Sequence, residues 1–186
     1  MLIKIANAIF ILSAAIAIAF LFVVTKENAK LRVDASQYKG ALAGPQTAEI
    51  GDIVPLFNAV DLEGARHQVV YDESATYLLF IFSPGCSVCT SQISVWNELA
   101  ERARPKNVKA LGLVIDSADA AIRHLKGVQC NFNILVMPNK AIQRAYRVVS
   151  IPEVLLISPN GIVEWAHYGQ LSDTDARDLS QRIESN

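Results

Sequence analysis

Cysteine is scarce in this sequence, three in 186 residues, too few for the cysteine-dense scaffolds of small secreted domains. Two of them, Cys86 and Cys89, form one Cys-x-x-Cys, which leaves redox chemistry or metal ligation as their use. A structural zinc site needs four ligands, and no second Cys-x-x-Cys or His-x-x-x-His is present. Copper, held by two thiolates and one histidine, is the sharper metal alternative. No metal is assigned, and no cofactor motif enters the reading. An excess of one charge is also missing: 17 basic and 18 acidic side chains nearly cancel and neither forms a long block, which argues against nucleic-acid binding. Repeats and low-complexity tracts are absent. The length suits one ordinary domain with an appendage.

What is present begins with an apolar run, Ile5 to Val24, whose only polar members are Asn7 and Ser13. A helix of that length crosses a hydrocarbon core of about 30 Å, so residues 1–25 read as a transmembrane anchor. A cleavable signal peptide is the competing reading, because Ala15, Ala17 and Ala19 offer small-x-small sites. Against it, the run continues through Phe20-Leu21-Phe22-Val23-Val24, longer than a signal h-region. The segment has no cysteine, which excludes a lipoprotein anchor. Lys26, Lys30 and Arg32 follow the run while Lys4 precedes it, so the positive-inside rule alone would keep the large domain cytoplasmic. Residues 26–49 mix charges, small residues and Gly44-Pro45 as a tether would, and the domain is placed at 50–186.

Within that domain, Tyr77 to Phe82 is a continuous apolar run ending at Ser83-Pro84-Gly85, the pattern of a strand buried on both faces. Ile93, Trp96, Leu99, Ala100 and Ala103 then recur at helical spacing until Pro105. The Cys-x-x-Cys therefore sits where a strand gives way to a helix. Val108 to Ile115 predicts a second strand, Ala118 to Lys126 a helix, and Asn133 to Met137 a third strand. A helix opened by Pro138 should follow, through about Arg147. Val154 to Ile157 and Ile162 to Tyr168 flank Pro159-Asn160-Gly161, a hairpin signal. Ser172 to Asp175 resembles a capping box ahead of a final helix striped by Ala176, Leu179 and Ile183. This order predicts an α/β fold, a mixed sheet flanked by helices. A Cys-x-x-Cys beside such a pattern is the signal of a thioredoxin-like site.

Thiolates attack disulfides and thiols hardly do, so an attacking cysteine must be exposed and its charged form favoured. A helix amino terminus supplies both conditions for Cys86. Cys89, one turn further in and more covered, is placed to displace Cys86 from a mixed disulfide. Cys86 therefore attacks and Cys89 resolves.

Residues 50 to 181 resemble the TlpA/ResA-type membrane-anchored thioredoxin-like proteins. The stretch IGDIVPLFNAVDLEG resembles that family's opening strand, and YLLFIFSPGCSVC its active-site strand and turn, with particular similarity to the methylamine dehydrogenase maturation factor. YRVVSIPEVLLISPNGIVEWAHYGQL resembles the end of the cytochrome c maturation thioredoxins, and the βα unit between Val114 and Pro152 is extra relative to a minimal thioredoxin. The resemblance implies a domain on the periplasmic or extracytoplasmic side of the cell membrane. It also implies disulfide-containing partner proteins, reduced by this one, and a membrane electron donor for thiols. By the same match Pro152 is the family's cis-proline, and the backbone of Ile151 pairs with an extended substrate segment. Without the resemblance, Pro152 is a strand-entry proline. The alternative function is a maturation factor or copper-binding metallochaperone using the same cysteines.

The chain departs from that pattern in having Gly85 where the family carries tryptophan, and Phe80 where thioredoxins proper carry a buried aspartate. Glu153 is then a candidate for proton handling at Cys89, its alternative being a solvated strand residue. Cys130 reads as a small packed side chain, with a third redox thiol as the alternative. His67, His124 and His167 are scattered singly and read as structural or surface residues. Trp96 and Trp165 fit core or interface positions. A peroxiredoxin-type peroxidase shares the fold but needs Pro-x-x-x-Thr/Ser-x-x-Cys. Counting back from Cys86 gives Ser83 but Leu79, and from Cys89 gives Cys86, so neither cysteine fits.

Overall fold

The computed structural model describes residues 47–71, 75–137 and 139–185. The apolar run Ile5 to Val24 and most of the tether lie outside them. Among the described residues no helix is long and apolar enough to cross a membrane.

The centre is the strand Thr76–Phe82, every residue of which is buried. In chain order the strands are β1 (Phe57–Asp61), β2 (Arg66–Val69), β3 (Thr76–Phe82), β4 (Val108–Val114), β5 (Asn133–Val136), β6 (Glu153–Ile157) and β7 (Val163–Tyr168). They form one sheet ordered β2-β1-β5-β4-β3-β6-β7. β3 pairs parallel with β4 and antiparallel with β6, so it is flanked on both sides, as its uninterrupted apolar composition predicts. β6 and β7 form the expected antiparallel hairpin, with Gly161 at φ 76° in its turn. β1 lies in the stretch that resembles the family's opening strand, whereas β2, paired with it as a hairpin, is an addition: Arg-His-Gln-Val has no apolar run to announce a strand.

The helices are α1 (Ser87–Ser91), α2 (Ile93–Ala103), α3 (Ala118–His124), α4 (Lys140–Ala145) and α5 (Asp173–Ser185). α2 ends where Pro105 turns the chain into a short 3-10 segment, Arg104–Lys106. Ser172 and Asp175 form a reciprocal cap before α5: the Asp175 N–H donates to Ser172 Oγ at 3.2 Å and the Ser172 N–H to Asp175 Oδ2 at 3.0 Å. Two helices are shorter than their spacing predicts. α3 stops at His124, before Lys126. α4 starts at Lys140 because the Asn139 side chain accepts the N–H groups of Ala141 and Ile142 as its N-cap, and it stops before Arg147, which takes a left-handed φ of 52°. Pro138, expected to open that helix, lies outside the described residues.

Strand alternation divides the core in two. Phe80, Phe82, Val154, Leu156 and Trp165 face α2, α3 and α5 through Trp96, Ala121 and Leu179. Leu79, Ile81, Leu155 and Ile157 face Tyr146 and the segment containing Ala48, Val54 and Phe57. The architecture is the expected mixed sheet with helices on its faces, including the extra βα unit.

Candidate active site

β3 delivers the chain to a tight turn, in which the Cys86 N–H donates to Ser83 O at 3.0 Å. Cys86 is the N-cap of α1, with extended backbone angles, and its Sγ accepts the N–H of Cys89 at 3.3 Å. This is the cap geometry that serine or aspartate usually fills, here used to hold sulfur against a main-chain donor. Cys86 is half-exposed and Cys89 fully buried, packed with Phe80, Phe82 and Trp96. Burial, with the Cys86 sulfur beside it as the next cause, pushes the Cys89 thiol up to about 12. Cys89 therefore holds its proton at neutral pH, and Cys86 is the sulfur an outside disulfide can reach.

The helix after the pair is broken at Gln92. Its N–H donates to Cys89 O at 3.1 Å, and its buried side-chain oxygen accepts the N–H of Leu171 at 2.9 Å. The kink thereby ties the turn containing Cys89 to the chain ahead of α5. Gln92 belongs to no motif, yet its position carries a signal: Cys89, Gln92, Ile93 and Trp96 share the buried stripe of α1 and α2, and a polar residue on such a stripe needs an internal partner.

The Ile151-Pro152 bond is cis, as the resemblance implies. Ile151 packs, with Cys86, against the same cluster as Cys89. β6 sets Glu153 opposite Ile81, so the Ile151-Pro152 bond enters the sheet at the end of β3 that leads into the cysteine turn. Glu153 is fully buried rather than a solvated strand residue, and neither of its carboxylate oxygens has a hydrogen-bond partner. Burial alone pushes its carboxyl up to about 8. Alternation puts Glu153 on the face of Ile81 and Leu155, across from Tyr168, whereas Cys89 packs on the face of Val154. The fold thus brings Cys86, Cys89 and Ile151 together and turns the Glu153 side chain to the other side of the sheet.

Cys130 is half-buried against the core, and burial pushes its thiol up. Asn97 of α2 holds the loop on either side of it, donating to Gln129 O at 2.8 Å and accepting the Asn131 N–H at 2.7 Å. Trp96 is core, and Trp165 is buried with its indole N–H on Asp178. His67 pairs with Asp61 at 2.7 Å, and His167 donates to Gln170 O at 3.1 Å. Among the described residues no three His, Cys, Asp or Glu side chains are grouped closely enough to hold a metal ion.

Similarity to known proteins follows this geometry. The family model of the AhpC/TSA family matches residues 50–166, well over half of the chain. Peroxiredoxin 1 of Sulfuracidifex metallicus is 28% identical over 105 residues, covering 48% of this chain and 49% of that protein. The chain thus spans about half the length of the curated relative it matches. A Chlorobium tepidum structure assigned as the thiol:disulfide interchange protein DsbE superposes with TM-score 0.66 at 22% identity, covering 75% of this chain and 98% of that one. A secreted Mycobacterium tuberculosis disulfide oxidoreductase homologous to E. coli DsbE gives TM-score 0.57 at 20% identity, with coverages of 70% and 96%. The family match runs from residue 50, ahead of β1, to residue 166, within β7, and takes in the Cys-x-x-Cys at the start of α1, which makes this chain a member of the AhpC/TSA family.

Proposed function

We propose that the protein is a membrane-anchored thiol-disulfide oxidoreductase of the TlpA/ResA type that reduces disulfides of dedicated extracytoplasmic partner proteins. The observation that carries this reading is the inequality of the two sulfurs: Cys86 is half-exposed at a helix cap, while Cys89 is buried with its thiol pushed up to about 12. Family membership and the disulfide-exchanging structural neighbours support an oxidoreductase activity.

In the proposed cycle the Cys86 thiolate attacks one sulfur of the partner disulfide, forming a mixed disulfide and releasing the other partner sulfur as a thiolate. Cys89 then gives up its proton and attacks Cys86 Sγ, closing the Cys86–Cys89 disulfide and freeing the second partner sulfur. The partner gains two electrons, and the proton from Cys89 goes to a departing thiolate. A thiol donor in the membrane restores the dithiol. Ile151 presents its backbone to the partner segment beside Cys86, with Pro152 shaping that loop. Glu153, on the far face, acts as a positioning residue through the Ile151-Pro152 loop rather than as a direct base for Cys89.

The test is reduction of a peptide disulfide by the reduced full-length chain, with Cys86→Ser and Cys89→Ala beside it. Loss of turnover in both, with a mixed disulfide accumulating only in Cys89→Ala, is the expected result. A second reading, peroxidase, rests on the peroxiredoxin relative alone, since Leu79 stands where the peroxidase motif needs proline. Rapid hydrogen peroxide consumption that needs Cys86, without peptide reduction, selects it.

A further inference from the structure

Gly85, next to Cys86 in the chain, has a neighbour that its own turn does not supply. A Cβ placed on the exposed Gly85 would meet His124 Nε2 and Ser83 Oγ at 3.8 Å and His124 Cε1 at 3.9 Å, so the imidazole at the end of α3 lies beside the residue immediately before the attacking cysteine. Because Gly85 has no side chain, nothing at that position stands between the ring and solvent on the Gly85 side of the turn. His67 and His167 are held by Asp61 and Gln170, whereas the exposed His124 ring has no hydrogen bond or ion pair among the described residues. On the other side of the turn, Val88 is exposed and Ile151 is half-buried against the same core as Cys86.

A disulfide holds its two Cα atoms about 5.5 Å apart, while Gly85 lies one peptide, about 3.8 Å, from Cys86. A partner bonded to Cys86 must therefore lay the residues flanking its cysteine against the Gly85 side or the Ile151 side of the turn. On the Gly85 side the polar groups they meet are the His124 ring and the Ser83 hydroxyl, and of the two only the ring comes from outside the turn. Resting on the oxidoreductase reading above, we infer that His124 is a specificity-determining residue of the exchange reaction. Its ring nitrogen donates a hydrogen bond to an acceptor in the partner segment beside the partner's cysteine, either a main-chain carbonyl or a carboxylate.

A purely structural role exists for comparison, since a basic side chain in the last turn of a helix favours the helix dipole. That role affects the stability of α3 and slows every substrate alike. The experiment compares kcat/KM for a small aromatic disulfide with that for disulfide-linked peptides in which Asp, Asn or Ala follows the cysteine, using the full-length chain in detergent. In His124→Ala the ratio of peptide to aromatic rate should fall about fivefold, the size of one lost hydrogen bond, and His124→Gln should recover most of it. A fall confined to the Asp peptide identifies a carboxylate acceptor, and an equal fall in all three identifies the main chain. The His124 ring signals in the NMR spectrum should also shift when Cys89→Ala forms its mixed disulfide with the peptide. An unchanged ratio with unmoved ring signals overturns the assignment of His124. No reduction of the aromatic disulfide by the unsubstituted protein overturns the oxidoreductase reading itself, and the inference falls with it.

Discussion

Glu153 is a carboxyl placed where carboxyls are costly. It is fully buried, no donor reaches either oxygen, and burial pushes it from 4.5 up to about 8. Between those values the folded protein keeps a proton that the unfolded chain has released. Stability should therefore be fully present below about pH 4.5 and decline as pH rises to about 8, by at most about 1.4 kcal/mol per pH unit. Glu153→Gln keeps the shape and removes the charge, so its urea midpoint should exceed that of the unsubstituted protein at pH 8 and match it near pH 4. Parallel midpoint curves would show that the carboxyl is solvated after all. An unpaired buried acid beside the Ile151-Pro152 loop suggests use, because perturbed carboxyls gather at functional sites. If Glu153 positions that loop, Glu153→Gln should slow peptide exchange and flatten its pH profile near 8. Unchanged exchange kinetics would leave it a structural residue only.

At the scale of elements, the active-site turn is anchored by contacts from distant parts of the chain. Gln92 interrupts the helix and accepts the Leu171 N–H from the far side of β7. Gln92→Leu leaves that buried donor without a partner, and should cost about 1–3 kcal/mol in urea unfolding. Gly112 on β4 faces Phe132, whose ring would stand 2.8 Å from an added Cβ. Gly112→Ala should destabilise by about 1–3 kcal/mol, because the ring packs on Phe80 and has little room to retreat. Neither feature was legible in the sequence, because each depends on a partner brought close only by the fold. The same holds for His124 and Gly85. What was legible is local: β3 from its unbroken apolar run, the β6–β7 hairpin from Asn160-Gly161, the α5 cap from Ser172 and Asp175, and the cysteine pair from its place between strand and helix. Glu153 could be singled out from its place after Pro152, but its burial and its face required the register of β6.

In the whole molecule the proposed exchange domain follows an apolar segment, Ile5 to Val24. The proposed anchor predicts that the full-length chain stays in the membrane fraction after alkaline extraction and that protease added to spheroplasts digests the domain. A domain protected from protease, or released as a soluble form beginning after Ala19, would contradict it. The central claim is narrower and does not depend on the anchor: Cys86 attacks and Cys89 resolves. It is tested most directly by intact mass measurement of Cys86→Ala, Cys89→Ala and Cys130→Ala after brief exposure of each reduced protein to a peptide disulfide. One peptide adduct is expected on Cys89→Ala, mapped to Cys86, with little on Cys86→Ala, whose remaining pair thiol is buried, and no lasting adduct on Cys130→Ala. Equal adducts on Cys86→Ala and Cys89→Ala, or an adduct mapped to Cys130, would contradict it.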